Sequence, residues 1–171
     1  MLKILLIGKP KSGKTSLVRK VINSLKKTSY GGFFSEEIKE NRQRVGFKIV
    51  STDGEEGILA DTIHKSPYQV SKYYVNISEF ERVALKAITN AEKDKDLIVI
   101  DEIGKMELYS QKFMALIEEI FTKGHKKILA TIPISNIPFI NKLRDLPNTE
   151  VIEVTPENRD HLVAKLLGYI G

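Results

Sequence analysis

Eight residues near the start of the chain, Gly8-Lys9-Pro10-Lys11-Ser12-Gly13-Lys14-Thr15, fit the pattern G-x-x-x-x-G-K-[ST] without deviation. These residue types suit the capture of a polyphosphate. Glycines let the backbone curl until several N–H groups converge on one anion. A helix opening near Gly13 would add the positive end of its dipole. Lys14 supplies a mobile point charge for the β- and γ-phosphates. The Thr15 hydroxyl can ligate Mg²⁺, an ion that keeps most of its waters and takes few protein ligands. Average composition gives such a match by chance in about one chain of this length per hundred or fewer. Here it also lies between an apolar strand and an amphipathic helix, where its mechanism requires it.

A second acidic motif separates the possible chemistries further. The run Ile98-Val99-Ile100-Asp101-Glu102 reads as a buried strand that ends on two acids. Ligands of open α/β sheets bind at the carboxyl edge of such strands. Asp101 there can hold Mg²⁺ through a water. Glu102, projecting differently, can orient or deprotonate a water for in-line attack on the γ-phosphate. Two acids merely capping a strand toward solvent is the simpler alternative. Gly104 would allow a tight turn, and Lys105 is a candidate cation for the charge that spreads over the γ-oxygens, set against an ordinary solvated loop lysine.

Positioning these groups requires alternating strands and helices. The first strand spans residues 2–7. A helix follows from about Gly13 to Lys27, with Leu17, Val18, Val21, Ile22 and Leu25 on one face. Segments 32–39, 44–51, 56–61 and 70–76 are short and β-prone, and Asp53-Gly54 marks a turn among them. They predict an antiparallel meander inserted at about residues 30–76. Ser78 with Glu81 forms a capping box for a helix running to about Lys93. Strand 96–101 is a continuous apolar run, as in a parallel strand covered on both faces. Helix 110–122, strand 127–132, helix 135–143 and strand 149–154 come next. The last helix starts at Thr155-Pro156-Glu157, a cap residue followed by proline. The pattern predicts a single α/β domain over residues 1–171: three α/β/α layers, a mostly parallel sheet and an antiparallel β insertion.

Composition bounds the function class. The chain has no cysteine, which excludes disulfides and Cys-based metal sites and makes a reducing cytoplasm the simplest setting. No apolar run reaches the roughly 18 residues of a membrane span. The net charge is +5, yet 27 basic residues are interspersed with 22 acidic ones, without an aromatic-and-basic cluster. A nucleic-acid partner is therefore not the expectation.

The residues quoted so far resemble the THEP1-type nucleoside-triphosphatase family, which includes the cancer-related nucleoside-triphosphatase of animals. The matching stretches are Gly8–Thr15, Gly31–Glu37, Gly46-Phe47, Asp53–Ala60, Lys72–Val75, Val99–Leu108 and Glu157–Asp160. The block Asp101-Glu102-Ile103-Gly104-Lys105-Met106-Glu107-Leu108 is much more specific than the phosphate loop. The resemblance implies a RecA-like P-loop NTPase fold. It also implies Mg²⁺-dependent hydrolysis of ATP, GTP, CTP and UTP to the diphosphate and phosphate, with loose base selectivity. Lys14, Thr15, Asp101 and Glu102 take the roles argued above. Residues 98–105, including Ile98, Val99, Ile100 and Ile103, would form a second nucleotide-contacting stretch. The family often has glycine where Ser71 and Tyr74 stand.

Other residues carry weaker signals. Core packing is the simpler role for Phe33, Phe34, Tyr73 and Tyr74, with stacking on a base as the alternative. Arg159, beside Asn158, is a candidate to stack on a purine. Arg42 and Arg44 are expected in a turn of the insertion, either solvated or folded over the site as arginine fingers. His64, His125 and His161 have no partners at metal-ligand spacing. A monomeric hydrolase is the leading expectation. The rivals are a nucleotide or small-molecule kinase, a nucleic-acid-linked ATPase and a nucleotide-sensing switch. No arginine-rich lid is readable between a late strand and its helix.

Overall fold

A computed structural model describes residues 1–171. Strand β1, Lys3–Gly8, is buried along almost its whole length because it lies inside the sheet. Helix α1, Lys14–Ser24, is shorter than its periodicity predicts: Leu25 is already extended. Strands β2 (Tyr30–Glu40), β3 (Gln43–Ser51), β4 (Glu56–Asp61), β5 (Gln69–Val70) and β6 (Tyr73–Val75) follow. Then come α2 (Ile77–Asp94), β7 (Leu97–Asp101), a 3₁₀ turn (Glu107–Tyr109) and α3 (Gln111–Thr122). The chain ends with β8 (Lys127–Pro133), α4 (Pro138–Arg144), β9 (Thr149–Glu153) and α5 (Arg159–Ile170). No helix is long and apolar enough to cross a membrane.

All nine strands form one sheet in the order β5-β6-β4-β3-β2-β7-β8-β1-β9. Strands β2, β7, β8, β1 and β9 pair in parallel, and β3, β4, β6 and β5 extend the sheet antiparallel. The three α/β/α layers are as expected. The antiparallel meander is continuous with the central sheet. Its first strand is a parallel strand of the central sheet, paired from Tyr30↔Leu97 to Phe34↔Asp101. Residues beyond Phe34 pair only with β3, so the β2–β3 hairpin overhangs the carboxyl edge of the parallel half.

One core packs α1 and α5 against the sheet through Leu17, Val18, Val21 and Leu166. The other lies beneath α2, α3 and α4. There Phe33, Phe80 and Phe113 meet with ring centroids 5.0–6.1 Å apart. Such pairs add about 0.5–1.5 kcal/mol each beyond their buried area.

Three helix starts differ from the sequence reading, and one of them is α4, which begins at Pro138 rather than at 135. Asn76, not Ser78, caps α2, accepting a bond from the Glu79 N–H at 3.0 Å. A residue two positions earlier reaches the same free N–H groups, because β6 delivers the chain there. Regular α5 begins at Arg159, four residues after Thr155. The intervening turn is still capped reciprocally: Thr155 Oγ1 accepts from the Asn158 N–H, and Asn158 Oδ1 accepts from the Thr155 N–H.

Candidate active site

The phosphate loop leaves β1 at Gly8 and enters α1 at Lys14. Gly8 is buried, and a Cβ there would lie 2.5 Å from Ser12 Oγ and 2.6 Å from the Val154 carbonyl, so only glycine fits. Gly13 takes φ 100° at the mouth of α1, in the region that favours glycine. No side chain caps that helix, leaving its first N–H groups available to an anion. The Lys14 ammonium donates to the Gly8 carbonyl at 2.6 Å, which holds it folded over its own loop.

Asp101 ends β7 and is 3% exposed. Its two carboxyl oxygens accept hydroxyl bonds from Thr15 at 2.7 Å and Thr131 at 2.6 Å. Burial pushes its pKa up, and the two hydroxyls pull it back down. Thr131 stands on β8, the strand between β1 and β7, so it ties the acid to the phosphate-loop half. Its carbonyl also holds the Ile103 N–H. The sequence signal for Thr131 is a single hydroxyl inside the apolar run Ile128-Leu129-Ala130-Thr131-Ile132.

Glu102 lies with one carboxyl oxygen 3.8 Å from the Lys14 ammonium, and about a third of its side chain is exposed. Burial of the carboxyl raises its pKa, Lys14 lowers it and Asp101 raises it again. Glu107 is a further acid close to Glu102. It is 4% exposed, and burial, reinforced by neighbouring Glu102, pushes it up to about 8. The Gly104 N–H donates to Glu107 at 3.2 Å. A Cβ on Gly104 would lie 2.6 Å from a Glu102 oxygen and 3.0 Å from a Glu107 oxygen. Gly104 is therefore needed for the space it leaves two carboxyls, not for the tight turn expected of it.

These groups share a cavity of about 580 Å³. All eight loop residues, Gly8 to Thr15, line it, together with Asp101, Glu102 and Lys105. Ile98, Val99, Ile100 and Ile103 do not: they are at most 1% exposed, packed into the two cores. Of residues 98–105, Asp101, Glu102 and Lys105 reach the cavity wall, because the strand that precedes them is covered on both faces.

Arg159 lines the cavity on the β9 side, its guanidinium against Gly13, with Nε buried and unpartnered. On the opposite side stand Ser35, Glu37, Arg44 and Phe47. Only Arg42 occupies the β2–β3 turn. Arg44 is a β3 residue, and its guanidinium lies over the Phe47 and Tyr73 rings. Phe33, Phe34 and Tyr73 are core residues, and Tyr74 is not on the cavity wall. Phe47 is the aromatic side chain that reaches it. Its alternation with Lys48 was visible in the sequence, but which face would look into a site was not. His64 pairs with Asp61, Nδ1 to Oδ2 at 2.6 Å, and the chain holds no cluster of three metal-ligating His, Asp or Glu. The β8–α4 connection, residues 134–137, carries no arginine.

A family model described as NTPase matches residues 3–167. The nucleoside-triphosphatase THEP1 of Thermotoga maritima is 43% identical over 99% of this chain and 95% of that protein. The crystal structure of THEP1 from the hyperthermophile Aquifex aeolicus superposes with a TM-score of 0.89 at 38% identity, covering 99% of both chains. The solution structure of a human cancer-related nucleoside triphosphatase gives 0.84 at 31% identity, covering 99% of this chain and 97% of that one.

Proposed function

This chain belongs to the nucleoside-triphosphatase family and hydrolyses nucleoside triphosphates, and we propose that it does so with Mg²⁺, on ATP, GTP, CTP and UTP alike. The observation that carries the proposal is the link from Thr15 through Asp101 to Thr131, with Lys14 and Glu102 facing the same cavity.

The donor set fits a divalent cation. Thr15 and Asp101 offer only hard oxygens and lie close enough to share a hydrogen bond. That suits Mg²⁺, which completes its shell with waters and phosphate oxygens. Bound there, the ion would neutralise charge on the β- and γ-phosphates. Loop N–H groups and Lys14 bind and orient the triphosphate. Glu102 takes the proton of an attacking water, held in place by its contact with Lys14. Glu107, neutral at neutral pH, packs beside Glu102 without adding a second charge to it. Lys105 is an exposed cation on the cavity wall, placed to follow the charge on the departing phosphoryl group. Arg159 covers the β9 side, where it can lie against a base.

Loose base selectivity follows from a wall that holds the phosphates through backbone and fixed charges. The full reading has a monomer acting on free nucleotides in the cytoplasm, without nucleic acid. The test is phosphate release from ATP, GTP, CTP and UTP, each with and without Mg²⁺. Comparable rates on all four, lost on chelation, support the proposal. Release from one base alone, or release unaffected by chelation, overturns the corresponding part. Severalfold stimulation by RNA or DNA, or a sedimentation mass of two or more chains, would remove the partner and monomer assignments.

A further inference from the structure

Hydrolysis needs one water in front of the terminal phosphate, and a water occupies about 30 Å³. The cavity of about 580 Å³ continues past Glu102, away from Arg159, beneath the overhanging β2–β3 hairpin. The same cavity includes the phosphate-loop seat, and the β2–β3 residues bound a distinct part of it. The wall on this side has a consistent chemistry. Phe47, Leu59, Val70 and Met106 give an apolar floor continuous with the core. Glu37 and Phe47 are cross-strand partners, so they share one face. Arg44 is fixed in place: its Nε donates to the Tyr73 hydroxyl at 2.9 Å and its Nη1 to Glu37 at 3.2 Å. The Ser35 hydroxyl is buried and has no partner within the protein.

We propose that this wall is a second subsite, seating a neutral nucleoside whose hydroxyl accepts the phosphoryl group. The proposal rests on the triphosphate site described above. An aromatic ring over an apolar floor suits a planar base. Arg44 uses two of its five N–H donors in the bonds just given, and Glu37 is an acceptor beside it. Together they match the mixed donor and acceptor edge of a nucleobase. Arg44 and Glu37 cancel each other's charge, so the β2–β3 wall offers no unpaired cation to a phosphate carried by the acceptor itself.

The step balances without a further reagent. The nucleoside hydroxyl oxygen forms a bond to the γ-phosphorus. The bond from γ-phosphorus to the β,γ-bridging oxygen breaks, and the nucleoside diphosphate leaves. The hydroxyl proton passes to the Glu102 carboxylate. With water in the seat, the same centre yields free phosphate.

The test follows label from γ-³²P-ATP in the presence of Mg²⁺ and adenosine, guanosine, cytidine, uridine or thymidine. Products are separated into free phosphate and nucleoside monophosphate. Saturation-transfer NMR of the same nucleosides, on enzyme filled with the β,γ-imido analogue of ATP, reads binding directly. The expected result is labelled monophosphate from at least one nucleoside, at the expense of free phosphate, with saturable binding to the filled enzyme. R44A and, as a milder core change, F47L should raise the acceptor KM about tenfold, and more than they raise the ATP KM. Label found only as free phosphate with every nucleoside overturns the subsite and leaves the hydrolase reading standing. Nucleosides that bind only by competing with ATP overturn it equally. Failure to bind or hydrolyse ATP at all removes both readings.

Discussion

The two halves of the sheet build the cavity by opposite means. In the parallel half, the phosphate loop is eight consecutive residues, and its functional groups are largely backbone N–H and a helix end. In the antiparallel half, Ser35, Glu37, Arg44, Phe47 and Val70 come from three strands and meet only because the hairpin overhangs the edge. In the proposed function, the first half binds what any triphosphate has in common. The second presents side chains that could discriminate among ligands. One cavity thus joins a generic phosphate clamp to a wall of particular chemistry, and the acids on and after β7 stand at the seam.

That contrast can be broken by experiment, and the largest effect is expected at the seam. Glu102→Ala should keep ATP affinity and lose most phosphate release, a fall of about 10²–10⁴-fold for a lost general base. Nucleotide titration beside a phosphate-release assay measures both, and unchanged release would remove Glu102 from the mechanism. Lys14→Ala should weaken binding and turnover together, by about tenfold or more each, since a charge-assisted bond of about 1.5–3 kcal/mol is lost.

Glu107 gives the seam a pH signature. Its folded pKa, about 8, lies above the ordinary 4.5. Folding therefore favours its protonated form: the stabilisation is present below about pH 4.5 and is lost as pH rises through about 8. The corresponding free energy is at most about 5 kcal/mol, from 1.36 kcal/mol per unit. Glu107→Gln should flatten the fall in urea-unfolding stability between pH 5 and pH 8, measured without nucleotide or metal. An unaltered pH profile would contradict the buried neutral acid.

Smaller effects belong at the two flanks. Arg159→Ala should raise the KM for all four triphosphates severalfold, and an unchanged KM throughout would end its role over the base. Arg42, at the tip of the overhang with φ 64°, lies outside the cavity wall. Arg42→Asn should leave stability within about 0.5 kcal/mol and turnover within about twofold. A larger loss of turnover would restore the hairpin tip as an arginine finger.

Legibility followed contiguity. Gly8–Thr15 and Asp101–Glu102 could be read because their chemistry depends on adjacent residues at the end of a strand. The contacts of Thr131 and Glu107 are not legible in the sequence, because each meets a partner that is distant in the chain or lies around a turn. Of residues 98–105, the sequence does not reveal which reach the cavity, since an apolar run shows that a strand is buried but not where its buried face stops. Arg44 was misplaced by a short distance that mattered. Asn41 and Arg42, both at positive φ, complete the turn in two residues and return Arg44 to the strand.

The amino-acid sequence by itself determined the phosphate loop, the strand ending in two acids, the alternation of an α/β domain and the family. These rest on local backbone geometry and on periodicity, which neighbouring residues specify. Only the tertiary structure decided that β2 belongs to the parallel sheet, that Thr131 joins Asp101 to the loop half, and that Glu37, Arg44 and Phe47 face the same cavity as the phosphate loop. Those facts depend on strand register, and register is fixed by which faces the two cores bury rather than by any short stretch of chain.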